Sequence, residues 1–209
     1  MHKITRIRCG SGNCFCVEED ASAILIDTSV ARYRDKIMAA CAGKNIRLVV
    51  LTHGHVDHVQ NAAYLSKALN APVAMHKADL GLIQNNREQP LSADKFLGKL
   101  LLAFVSKSMA AVIEPFEPEV LLREGDSLDG YGVRAAVVGL PGHTKGSIGI
   151  RIGDSDLFVG DALMNLLSPS KSLLYGDRAE MRKSAAKISA LKAATIHFGH
   201  GKSVANREW

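Results

Sequence analysis

A chain of 209 residues, 47% hydrophobic and 22% charged, has the composition of a globular domain with a sizeable core. No apolar run reaches the length of a membrane span, and Met1-His2-Lys3-Ile4-Thr5-Arg6 opens into polar sequence, so a cytoplasmic protein without a signal peptide is expected. The net charge of +5 is scattered, and aromatics at 5% are too sparse for a stacking platform on single-stranded nucleic acid.

In chain order, residues 4–8, 14–18 and 23–27 read as three short strands, with Ser11-Gly12-Asn13 and Glu19-Asp20 supplying the turns. Cys14 and Cys16 fall on one strand face; with Cys9 and Cys41 they match no zinc-knuckle spacing and read as buried apolar thiols. A helix over 31–42 stops at Gly43. The run 48–51, Leu-Val-Val-Leu, reads as a strand buried on both faces, and it leads at once into His53, His55, Asp57 and His58. Three imidazoles and a carboxylate against a core edge are costly unless something binds them, and their donor atoms suit zinc and similar divalent ions.

From Asp57 the apolar residues Val59, Ala62, Leu65 and Leu69 recur at helical spacing, and Asn70-Ala71-Pro72 ends that helix before a strand over 73–76. Ser92 is expected to cap a helix reaching about residue 113, with Leu97, Leu100, Leu101, Phe104 and Val105 as its apolar stripe. Packing on a sheet is the favoured role, with a lid or a homodimer surface as alternatives. Residues 133–138, 147–152 and 156–159 read as strands, 178–192 as a helix and 195–198 as a last strand. The segment from Lys171 to Lys192 is the most basic and reads as a solvated helix face.

Strands therefore repeatedly end in a metal-ligand type: 48–51 in His53, His55, Asp57 and His58, 133–138 in His143, 156–159 in Asp161 and 195–198 in His200. Seven such groups are too many for one tetrahedral zinc and suit two ions about 3.5–4 Å apart. His2, His76 and His197 lie outside these motifs and read as structural.

Thr52-His53-Gly54-His55-Val56-Asp57-His58, Pro141-Gly142-His143-Thr144-Lys145-Gly146-Ser147, Gly160-Asp161 and Gly199-His200-Gly201 together resemble, in order, the ligand motifs of the metallo-β-lactamase-fold hydrolases, with glyoxalase II-like metal motifs. Asp27 resembles the family's structural aspartate. The resemblance implies an α/β, four-layer αββα sandwich in one domain over 1–209. It implies that His53, His55 and His143 hold a first ion, that Asp57, His58 and His200 hold a second, and that Asp161 bridges them. Zinc is the foremost metal, although iron or manganese also suits these ligands.

The implied chemistry is hydrolysis, with a bridging hydroxide attacking a small-molecule substrate and Asp57 accepting its proton. Asp161 stands where typical β-lactamases lack an aspartate, and the chain ends eight residues after Gly201, without the helical carboxyl-terminal domain of a typical glyoxalase II. Small esters, thioesters or lactones are the expected substrates. Lys171 and Tyr175, downstream of Asp161, are candidates for recognising a carboxylate or phosphate on them. The alternatives are a phosphodiesterase or nuclease of the same fold, and an iron-dependent redox or non-catalytic metal-binding protein.

Overall fold

In a computed structural model that describes residues 1–94, 96–108, 111–191 and 193–209, the strands form two main sheets. The first starts as an antiparallel meander of β1 (His2–Cys9), β2 (Gly12–Glu19) and β3 (Ser22–Ile26). After α1 (Arg34–Cys41), β4 (Ile46–Val50) pairs parallel with β3. The chain continues through α2 (Val56–Val59) and α3 (Ala62–Leu69) to β5 (Val73–His76), then through α4 (Leu80–Gln84) and α5 (Phe96–Ser108) to β6 (Val120–Leu122), each strand adding in parallel. The second sheet takes β7 (Ala135–Gly139), β8 (Ile148–Ile152) and β9 (Asp156–Phe158). A small hairpin of β10 (Leu163–Met164) and β11 (Ser170–Lys171) follows, then α6 (Arg178–Ala190). Finally β12 (Thr195–His197) pairs parallel with β9, and β13 (Val204–Ala205) closes the edge.

Alternation along the strands builds three apolar layers from these two sheets. Phe15, Ile24, Ile26, Leu48 and Val50 of the first sheet meet Val137, Ile148, Ile150 and Phe158 of the second. On the far side of the first sheet, Leu25, Val49 and Leu51 pack with Ile37, Val59 and Leu65 from α1, α2 and α3, and with all four cysteines. On the far side of the second, Leu157, Ile196 and Phe198 pack with Ala185 and Ile188 of α6. That helix is capped by the Asp177 carboxylate, which accepts from Ala179 N at 2.8 Å and Glu180 N at 3.0 Å. The layering is the αββα sandwich.

The expected helix from Asp57 is broken after Val59 because Asn61 is fully buried and its amide donates to Thr28 O at 2.9 Å and Val30 O at 2.8 Å. Ser92 is no cap: its backbone pairs with Tyr175, and α5 starts at Phe96. Nor does the α5 stripe lie on a sheet. Leu97 and Leu100 are exposed, whereas Leu101 and Val105 face the cavity described below. Lys192 and the side chain of Phe104 lie outside the described residues. Among the described residues no helix is long and apolar enough to cross a membrane.

Candidate metal centre

Both sheets present carboxyl ends of strands to one edge, and the loops leaving them carry the special residues. The segment after β4, running into α2, brings Thr52 to His58, the loop after β7 brings His143, that after β9 brings Asp161, and that after β12 brings His200. The two sheets are stitched at this point by Ile148 N donating to Thr52 O at 2.9 Å.

All seven predicted ligand residues converge. Ligand atoms of His53, His55 and His143 lie within 4.8 Å of one another, as do those of His53, His58 and Asp161, and those of Asp57, His58 and His200. His55 Nδ1 is 3.0 Å from His143 Nε2, and His200 Nε2 is 3.3 Å from Asp57 Oδ2 and 3.4 Å from Asp161 Oδ2. Asp161 stands between the sets, its Oδ2 3.8 Å from His143 Nε2 and its Oδ1 3.6 Å from His58 Nε2. A cavity of about 200 Å³ opens onto His55, Asp57, His143, Asp161 and His200. Of the two carboxylates there, Asp57 is the open one, with 39% of its side chain exposed against 6% for Asp161.

The donor set fits metal binding on two observations. His53 Nε2, His58 Nε2 and Asp161 Oδ1 are buried without a hydrogen-bond partner, a state proteins avoid unless another ligand takes the lone pair. Gly199 is also required: a Cβ there would run into Asp161 Oδ1 and come within 2.8 Å of His58 Cε1.

Electrostatics divide the site. Burial, reinforced by the neighbouring imidazoles, drives His53 far down and pushes His55 down to about 3, which keeps both in the neutral form that ligates. Burial also works against charge on His58, yet Asp27, Asp161 and Asp57 outweigh it and push it up to about 9. His200 is likewise raised against burial, by Asp161 and Asp57. Those two carboxyls, despite burial, are held well below the usual carboxylate range by His58 and His200.

Three of the four ligand-bearing segments are braced from behind. Asp27, in the left-handed region at φ 60°, accepts from Thr52 N at 2.8 Å, from Thr52 Oγ1 at 2.9 Å and from His58 Nδ1 at 2.8 Å. His143 Nδ1 donates to Leu174 O at 2.8 Å. Asn13 is not a turn residue but a brace on the last loop, its amide donating to Phe198 O at 2.9 Å and Gly201 O at 2.8 Å.

Asp79 carries no sequence signal, because it stands in no ligand motif. It is fully buried and ties two ligand loops together. It accepts from Gly54 N at 3.0 Å, Thr144 Oγ1 at 2.7 Å, Gly146 N at 2.8 Å and Gln89 Nε2 at 3.0 Å.

Lys171 and Tyr175 are not brought to this cavity. Both line a second one with Asp94, Arg178, Arg182 and Arg207, where the Tyr175 hydroxyl donates to Asp94. The segment does pass the site, where Leu174 O accepts from His143 and Leu174 lines the cavity, while Lys171 and Tyr175 line the other one. The three other histidines are satisfied elsewhere. His197 bonds Asp156 at 2.8 Å and Ser203 at 2.7 Å, His2 bonds Asp156 at 3.0 Å, and His76 accepts from Ala78 N at 3.1 Å.

The sequence model of the metallo-beta-lactamase superfamily matches residues 7–200. The chain belongs to that superfamily. It is 32% identical over 211 residues to a hydroxyacylglutathione hydrolase of Cereibacter sphaeroides, across 98% of this chain and 68% of that one. An uncharacterized protein of Mycobacterium tuberculosis is 28% identical over 207 residues, covering 91% of this chain and 86% of that protein. Among solved structures, the B3 metallo-beta-lactamase BLEG-1 superposes with a TM-score of 0.73 at 21% identity, covering 98% and 94% of the two chains. A protein solved in a di-iron-bound form, TTHA1623, gives 0.69 at 24% identity, covering 97% and 94%. At these identities the structural matches speak for the fold alone.

Proposed function

We propose that this metallo-β-lactamase-fold chain, a single domain over 1–209, is a binuclear metal-dependent hydrolase of small esters, thioesters or lactones. The observation that carries the reading is the convergence of seven ligand residues from four separate strand ends, with buried nitrogens and an oxygen left unpartnered. His53, His55 and His143 would hold one ion, and Asp57, His58 and His200 the other, with Asp161 shared. Zinc is the first candidate, and iron or manganese suits the same nitrogen and oxygen donors.

Divalent ions held there would supply Lewis acidity and make water acidic enough to ionise near neutral pH. The rest falls to the chain's own groups. Asp57, ionised across the neutral range and open to the cavity, orients the attacking water and takes its proton at Oδ2. Asp27 and Asp79 keep the loops that carry these groups in one geometry. Water adds to the carbonyl carbon, the acyl–oxygen or acyl–sulfur bond breaks, and the proton held by Asp57 passes to the leaving oxygen or sulfur, giving a carboxylic acid and an alcohol or thiol, or from a lactone a single hydroxy acid.

A carbonyl substrate accords with the relative from Cereibacter sphaeroides, whose name is that of a thioester hydrolase. The phosphodiesterase alternative draws less support, because Lys171, Arg178 and Arg182 gather on the second cavity instead of beside the ligand residues. The test is a panel of acyl thioesters, lactones, esters and phosphodiesters given to zinc-, iron- and manganese-loaded protein. Turnover of a carbonyl substrate that chelation abolishes is expected. Cleavage of phosphodiesters alone, or of nothing in the panel, would overturn the reading.

A further inference from the structure

The cavity over the candidate metal centre is polar at its floor and where Ser11, Ser29, Arg32 and Tyr33 line it, and apolar over most of the rest. Its apolar wall comes from Leu91 before α5, Leu101 and Val105 on α5, Met164 and Leu166 around β10, and Leu174. These segments are far apart in sequence, so the apolar wall is assembled by the tertiary fold and is not one helix's packing stripe. Among the described lining residues, Arg32 is the one Lys or Arg, and its guanidinium lies 4.9 Å from the centre of the Tyr33 ring. The carboxylates there are Asp57 and Asp161, both already assigned to the floor.

A strongly polar or multiply charged acyl group would lose its hydration on entering and find no partners on such a wall. An alkyl chain would gain from the same burial. Resting on the hydrolase reading above, we propose that the acyl half of the substrate is a medium-length apolar chain lodged under α5, with its carbonyl at the Asp57–His200 floor.

The size follows from the volume. An apolar cavity of roughly 150 Å³ takes the six carbons of benzene. By proportion, the space of about 200 Å³ here takes roughly eight. Each methylene buried below that limit contributes about a four-fold gain in specificity constant, the equivalent of about 0.8 kcal/mol. Beyond it the gain stops.

The test uses esters with one leaving group and straight acyl chains from acetyl to dodecanoyl, hydrolysed by the metal-loaded protein. The expected result is kcat/KM climbing about four-fold per methylene and levelling near six to eight carbons. Leu101→Glu, which puts a carboxylate in the wall from a half-buried helix position, is expected to flatten that climb. A flat or falling profile in protein that does hydrolyse these esters overturns the acyl-chain proposal and leaves the hydrolase reading standing. If neither these esters nor the thioesters and lactones of the panel are turned over, the hydrolase reading fails instead. The cavity is then read alone, from displacement of 1-anilinonaphthalene-8-sulfonate from metal-free protein by alkanoates from acetate to decanoate. Affinity that rises with chain length supports an apolar-chain site, and affinity independent of length overturns it.

Discussion

Asp79→Asn is the substitution that most sharply separates a brace from a bystander. The native carboxylate accepts four hydrogen bonds, with Gly54 N and Thr144 Oγ1 on Oδ2, and Gly146 N and Gln89 Nε2 on Oδ1. An asparagine keeps the shape but must turn its NH₂ toward one of those pairs. On the Oδ2 side the amide opposes Gly54 N–H, and on the Oδ1 side it opposes Gly146 N–H. Neither backbone donor can be reversed. The Gln89 amide cannot flip freely either, because its Oε1 accepts from Lys145 N at 2.7 Å.

One buried donor is therefore stranded in either orientation, and the charge assistance to the others is lost. At about 1–3 kcal/mol for a stranded donor plus the weakened bonds, a loss of about 3 kcal/mol is expected. For a chain of this length that corresponds to a fall in Tm of roughly 6–12 °C. Because both ligand loops hang on Asp79, affinity for zinc should fall about 10–100-fold as well. Thermal denaturation of metal-free protein reads the first effect, and competition with a chelating dye reads the second. A Tm within about 1 °C of the parent's, below the smallest effect expected of a stranded buried donor, would show that Asp79 braces neither loop.

Asp57→Asn should leave a folded protein, since the side chain is partly exposed, but cut turnover by at least about 10²-fold; near-normal rates on any substrate found would remove Asp57 from proton transfer. Lys171→Ala should change kcat/KM by less than about two-fold, because the lysine lines the other cavity, and a large rise in KM alone would return it to the substrate site. Cys9 faces the cavity, and its thiol is pulled down to about 7, first by the hydrogen bond from Cys14, then, against burial, by Ser29 and Lys36. The thiolate is the reactive form, so iodoacetamide labelling located by mass spectrometry should reach Cys9 first, its rate rising through pH 7 and levelling above about 8. Burial pushes the Cys14 thiol up, so it should stay unlabelled across that range, and a Cys9 midpoint near 8.5 would contradict the assignment.

The candidate ligands are legible in sequence because their residue types cluster locally: His53, His55, Asp57 and His58 crowd one strand end, and His143, Asp161 and His200 each follow another. The braces are not. Asp79 draws its partners from Gly54, Gln89, Thr144 and Gly146, which only the folded chain brings together. Asn61 breaks a helix that periodicity alone would continue, because its buried amide is needed by the carbonyls of Thr28 and Val30. The apolar pattern of α5 was visible, but helical spacing says which residues share a face and not what that face meets. Here Leu101 and Val105 meet a cavity rather than a sheet. Proximity to Asp161 along the chain does not bring Lys171 and Tyr175 to the site, because the chain turns both toward the second cavity.

The seven converging residues are proposed to hold two ions. Titration of chelator-stripped protein with zinc, followed by calorimetry and checked by elemental analysis, tests this directly. Two ions per chain are expected, falling to one in His200→Ala, which removes a ligand from one set and leaves His53, His55 and His143 in place. A parent protein that takes up one ion or none would contradict the account.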